Sequence, residues 1–171
     1  MDNLFWKQAY GDKDSLLSSI SDPKARYFAD VNYGPWDRLD GDKPFIGEFE
    51  EKPLGAGFYP KDMTKEEFST AKMDDAKGLY SVIKRNDKGE LYSVPFHKLF
   101  AKELSEAANI LNKAAQLAED PEFKNYLEMR AIALTNDDFQ PSDFAWMDMK
   151  KNPVEVVIGP IETYEDLLFG Y

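Results

Sequence analysis

Residues 79–118, LYSVIKRNDKGELYSVPFHKLFAKELSEAANILNKAAQLA, change their apolar period once, and that change sets the fold class. Residues 79–85 and 90–94 are β-rich and flank Asn86-Asp87-Lys88-Gly89, four turn formers, so they predict a β-hairpin. Pro95 ends the second run. Beyond it Phe96, Phe100, Leu104, Ala107, Leu111, Ala114 and Ala118 recur at three- and four-residue spacing, which predicts one long amphipathic helix. Its second half is lined by small residues and suits close packing on a neighbour. A hairpin that runs into helices makes the chain α+β.

Toward the C-terminus, Asp120-Pro121 stops that helix and starts another over 122–134, with Phe123, Tyr126, Leu127, Ile132 and Leu134 on its apolar side. The two helices should form an αα-hairpin. Ser142 is expected to cap a short helix running to Lys150. Residues 154–158, β-branched and largely apolar, read as a buried strand that Gly159-Pro160 breaks. A further helix should begin at 163–171, with Glu165 and Asp166 in its first turn.

Toward the N-terminus, Thr64 and Glu67 form a capping box for a short helix ending near Met73. Between 32 and 62 glycine and proline come too often for any helix, and only residues 45–49 have room for a strand. Aromatic side chains punctuate this stretch, so it reads as ordered coil laid over a surface. Residues 1–31 read as two or three short helices. Gly11 interrupts the first, Asp14 is placed to cap 15–20, and Asp22-Pro23 opens 24–31. The expected organisation of 1–171 is one domain, or a fragment of a larger protein, with segments 1–31, 32–62, 63–94, 95–135 and 136–171.

Hydrophobic residues make up 43% of the 171 and aromatics 14%, enough for a core and against disorder of the whole chain. A formal charge of -11, with no basic patch to reverse it, argues against nucleic acid and against an anionic membrane surface. Without cysteine there is neither a disulfide framework nor a thiolate metal site. No apolar run is long enough to span a bilayer, so a soluble protein is expected, its compartment open between cytoplasm and periplasm. Residues 1–6 lack the pattern of a signal peptide and read like the interior of a helix, which suggests a cut chain.

Little in the sequence carries chemistry by itself. His97 is the one histidine, and one imidazole with scattered carboxylates gives neither zinc spacing nor a Ser/His/Asp triad. Asn136-Asp137-Asp138 with Asp143 and Asp148 lacks the alternation, central Gly and final Glu of a calcium loop, and reads as a capped helix end. Gly47, Gly55 and Gly57 are turn glycines, with no Lys-Ser/Thr after them to make a phosphate loop. Glu155 and Glu162 flank the expected strand end, where carboxylates can hold an amine or move a proton, although the alternation with Val154 and Val156 favours a Glu155 that simply faces solvent. No catalytic and no metal residue is assigned.

Residues 152–166, NPVEVVIGPIETYED, resemble the segment around the Glu and Tyr of dipeptidyl peptidase III, in particular its bacterial and plant relatives, some of which carry a Nudix domain in front. Residues 32–39 (NYGPWDRL), 58–68 (FYPKDMTKEEF) and 126–134 (YLEMRAIAL) are similar to the same subgroup. The resemblance runs from about Phe5 to Tyr171 and corresponds to the part of the peptidase that precedes the zinc motif. It implies a two-lobed zinc exopeptidase. The His-Glu-x-x-Gly-His motif that holds its metal is missing from this chain. The chain would form part of the non-zinc lobe, which helps bind an extended peptide. Glu155 falls where the family has the Glu that receives the substrate's terminal ammonium. Val157 falls where dipeptidyl peptidase III has a Tyr that stabilises the transition state, and Val cannot donate a hydrogen bond. Glu162 and Tyr164 match the following Glu-Ser/Thr-Tyr step, a structural one.

The resemblance thus implies a non-catalytic fragment that supplies a wall of a peptide-binding cleft. Its partners would be the remainder of its own chain, a short peptide and, through an exposed apolar face, a second copy. Zinc belongs to the parent and not to this segment. The alternative is a free-standing peptide- or protein-binding module. A Nudix hydrolase is the remote one, because Glu50-Glu51 and Glu66-Glu67 lack the Gly-led helix with Arg-Glu and Glu-Glu pairs that such a site needs.

Overall fold

A computed structural model describes residues 1–161 and 165–170. They hold mixed helices and small antiparallel sheets, as the α+β reading expects. The chain divides into two compact units, one of residues 2–93 with the C-terminal residues, the other of 94–161.

The first unit begins with α1 (Asp2–Ala9), α2 (Lys13–Ser19) and α3 (Pro23–Asn32). The cap of α2 is Asp12, whose side chain accepts from Ser15 N at 3.0 Å; Asp14 lies two residues too late, inside the helix. Asp22 caps α3 as expected, with Pro23 in its first turn. Trp6, Leu16, Ile20 and Ala29 form the core between these helices, and Tyr10, Tyr33, Phe45 and Phe49 pack around it. Trp6 is 1% exposed, so one aromatic from a short helix organises the whole cluster.

The coil after α3 is ordered, and its ties show why. Gly57 N donates to Gln8 O at 2.7 Å, and a Cβ at Gly57 would sit 2.7 Å from that same oxygen. Only glycine lets the coil approach α1 so closely. Trp36 Nε1 donates to Glu50 O at 2.9 Å. The only strands here are β1 (Trp36–Asp37) and β2 (Lys43–Pro44), an antiparallel pair with Trp36 opposite Pro44. Residues 45–49 therefore form no strand. Phe45 and Phe49 spend their apolar surface on the helical core instead.

Thr64 caps α4 (Lys65–Thr70), accepting from Glu67 N at 3.0 Å. The reciprocal half of the box is absent, because the Glu67 carboxylate turns to Arg85. The helix stops three residues short of Met73. The predicted hairpin is β3 (Ser81–Arg85) with β4 (Leu91–Pro95). Phe68, Ile83 and Leu91 bury a second core, closed by Tyr59, Met63 and Phe169.

The second unit is helical. The long helix expected from 96 to 118 is broken into α5 (Phe96–Leu99) and α6 (Ala101–Leu117), because Phe100 leaves helical geometry at φ -113 and ψ 28. Asp120 caps α7 (Pro121–Asn136), accepting from Phe123 N at 2.8 Å. Leu104, Ala108, Leu111 and Ala115 of α6 are buried, as are Tyr126, Leu127, Ala131 and Leu134 of α7, and the two helices pack together as the expected αα-hairpin. Next comes α8 (Gln140–Asp148). Ser142 does not cap it; it lies inside the helix, where its hydroxyl donates to Phe139 O at 2.7 Å.

The expected strand at 154–158 is not formed. The segment has no sheet partner among the described residues, and Val154 and Val157 are more than half exposed. β-branched composition favours a pleated, half-buried surface but supplies no neighbouring edge. The helix expected from 163 falls partly outside the described residues, which include neither Glu162, Thr163 and Tyr164 nor Tyr171; residues 165–170 form no helix.

Candidate functional site

Glu155 sits in the extended run 152–161, and its presentation is set by α7. Tyr126, buried on that helix, donates its hydroxyl to Val156 O at 2.6 Å. Asn152 Nδ2 donates to Val154 O at 2.7 Å. With those carbonyls occupied, the run makes no backbone–backbone hydrogen bond to another described residue. Burial alternates along it: Val156 and Ile158 are half-buried, Glu155 and Val157 exposed. The period of an extended chain therefore puts Glu155 and Val157 on one outward face. Val154 breaks the alternation by being exposed as well.

Below this run lies Arg130, one turn beyond Tyr126 on α7 and only 2% exposed. It is ion-paired with Asp143 and flanked by the rings of Tyr126 and Phe139, at 5.5 and 5.4 Å. At Gly159 the backbone turns at φ +123, and a Cβ there would meet Phe139 Cε1 at 3.2 Å and Arg130 Nη1 at 3.4 Å. That close approach, in a conformation L side chains avoid, accounts for the glycine.

Several other residues singled out from sequence serve caps, ion pairs and turns. His97 accepts its place from Asp137: the carboxylate takes the backbone N–H of His97 and lies 2.7 Å from Nδ1. Asp137 is at once the left-handed C-cap of α7, at φ 62. Asp143 is committed to Arg130, and no group of three or more metal-ligating side chains exists among the described residues. Gly47 and Gly57 serve turns and close approach, and α4, which carries Glu66 and Glu67, is a six-residue helix with Glu67 bound to Arg85. Glu162 and Tyr164 lie outside the described residues.

A buried ion cluster escaped the sequence reading. Glu165, 4% exposed, pairs with Arg38 from the coil. Lys52 Nζ forms an ion pair with its other oxygen at 3.1 Å and with Asp42 at 3.2 Å. Burial acts to raise the Glu165 pKa, but Arg38 and Lys52 outweigh it and hold the carboxyl below its ordinary value. Beside it, Asp166 accepts from Tyr59 Oη at 2.7 Å and from the backbone of Leu168 and Phe169. Phe169 stacks on Phe68 at 4.5 Å. Residues 165–170 are thereby bound to the coil and to the second core.

No family model matches the chain. It is 28% identical, over its whole length, to Nudix hydrolase 3 of Arabidopsis thaliana, of which it covers 30%. The structure of dipeptidyl peptidase III from Caldithrix abyssi superposes on 99% of the chain with a TM-score of 0.90 and 41% identity, and the chain covers 34% of it. For dipeptidyl peptidase III from Corallococcus sp. strain EGB the TM-score is 0.86 and the identity 33%, over 96% of this chain and 33% of that one. The chain is thus similar in sequence and in fold to part of dipeptidyl peptidase III, and it spans about a third of the length of these relatives. The plant relative's name fits the expectation that a Nudix domain accompanies this region in plants.

Proposed function

We propose that this chain is a non-catalytic part of a dipeptidyl peptidase III-like zinc exopeptidase, where it lines one wall of the peptide cleft and Glu155 receives the substrate's terminal ammonium. The observation that carries the reading is the presentation of Glu155: an exposed carboxylate on an extended run anchored from below, in a chain with a TM-score of 0.90 to a dipeptidyl peptidase III. An ammonium ion would find there a charge-assisted acceptor. While both groups stay in water, such a pair is worth under about 1 kcal/mol. Useful affinity therefore needs a second wall to exclude water, which is what the remainder of a peptidase chain would supply.

Zinc does not fit the described residues, which offer no set of ligands for it. In this reading the metal is held by the rest of the parent chain.

The test is the mass, zinc content and activity of the natural gene product. A product several times longer than 171 residues, with bound zinc and release of dipeptides from a free amino end, is expected. Glu155→Gln should then raise KM for free-amine peptides and spare binding of N-acetylated ones. A metal-free product of this length that hydrolyses nothing would replace the reading with a stand-alone binding module.

A further inference from the structure

We propose that Tyr126 is a positioning residue for Glu155: by holding the Val156 carbonyl, its hydroxyl sets the direction from which the Glu155 carboxylate meets a peptide's terminal ammonium. This rests on the function proposed above. A residue in a sheet has its backbone direction set on both sides by the ladder, but residues 152–161 pair with no strand among the described residues. Among the described residues, the hydrogen bond that reaches residues 154–158 from outside the run is Tyr126 Oη to Val156 O, at 2.6 Å. Val156 is the next residue after Glu155, so this bond anchors the peptide plane between Val156 and Val157, one plane beyond the peptide that joins Glu155 to Val156.

Tyr126 is built for that task. It is 1% exposed, on a helix interior, with its ring packed beside Arg130. Burial raises its pKa, with the Arg130 guanidinium acting the other way, and the net direction keeps the phenol protonated as a donor at neutral pH. Gly159 is the second anchor, since its backbone lies so near Phe139 and Arg130 that a methyl group there would meet both. Between the two anchors, Glu155 and Val157 are the outward residues. A tyrosine of this kind does not touch substrate, and its effect is carried entirely through the angle and reach of its neighbour.

The experiment measures binding of a short peptide with a free amino end, made cleavage-resistant by methylating its scissile amide, and of its N-acetylated twin to the full-length protein, with thermal melts alongside. Wild type should prefer the free amine, and Glu155→Gln should abolish the preference. Tyr126→Phe, which removes only the hydroxyl, should weaken free-amine binding roughly five- to tenfold, the worth of one misdirected hydrogen bond, and leave the acetylated peptide unchanged. Gly159→Ala should shift the preference in the same direction from the other anchor, and it decides the matter if Tyr126→Phe does not fold. Glu155→Gln losing the preference while Tyr126→Phe and Gly159→Ala keep it would overturn the positioning role alone. Equal losses for both peptides would overturn it too, as a purely structural effect. A Glu155→Gln protein that binds like wild type would sink the parent reading.

Discussion

Glu165 shows how much can hang on one side chain. Its carboxylate is almost fully buried between Arg38 and Lys52, and removing a buried charge leaves its partners without compensation, at a cost of about 3–5 kcal/mol for a fully enclosed pair. Arg38 is 26% exposed and can turn to water, so Glu165→Gln is expected to cost nearer about 2 kcal/mol in urea denaturation. The direction of its pKa gives the pH dependence. The folded value lies below the ordinary 4.5, so the stabilisation is present above that value and is lost as pH falls through the lowered folded value. Wild type should lose stability through that acid range, while the Gln variant loses less. Equal slopes would remove Glu165 from the account of acid unfolding. Nothing in the sequence announced this cluster: Arg38 and Glu165 are 127 positions apart, and at 165 the local pattern spoke only of a helix start.

Elements were legible where their signals are local. Asp120-Pro121 is such a signal, and the side chain of Asp120 caps α7 through Phe123 N. Asp120→Ala should therefore cost about 1 kcal/mol, seen as a lower urea midpoint at unchanged slope. No change would mean that the packing of α6 on α7 alone holds the helix start. The hairpin at 81–95 and the helix pair were readable for the same reason, since turn residues and a 3.6-residue period lie within a short window. What failed needed a distant partner. Residues 154–158 have strand composition but no edge to pair with among the described residues, and Phe100 breaks the helix although the apolar spacing runs straight through it. The same division applies to the candidate site. Glu155 was singled out as a carboxylate at an expected strand end and again through the resemblance of its neighbourhood to a known family, while Tyr126 was read only as part of a helix's apolar side and Arg130 drew no reading of its own. Their place beneath residues 156 and 159 is a long-range fact that no window of sequence contains.

At the scale of the whole molecule, charge sets the next expectation. The formal net charge is -11, yet the buried cluster of Arg38, Lys52, Asp42 and Glu165 balances two cations with two anions and adds nothing to it. The excess negative charge therefore belongs mostly to exposed carboxylates that repel one another in the compact state. Attractive surface pairs such as Lys43–Asp40 and Lys124–Glu128 are exposed to water, and each is worth about a few tenths of a kcal/mol. Net repulsion should win. Salt shortens the screening length from about 30 Å at 0.01 M to under about 10 Å at 0.15 M, which reaches the exposed charges and leaves the buried cluster nearly untouched. The melting temperature should accordingly rise by a few degrees over that range of sodium chloride. Glu165→Gln should show the same rise from a lower starting point, because its loss is internal. A melting temperature that falls with salt would mean that the surface ion pairs outweigh the excess charge, and the balance argued here would have to be reversed.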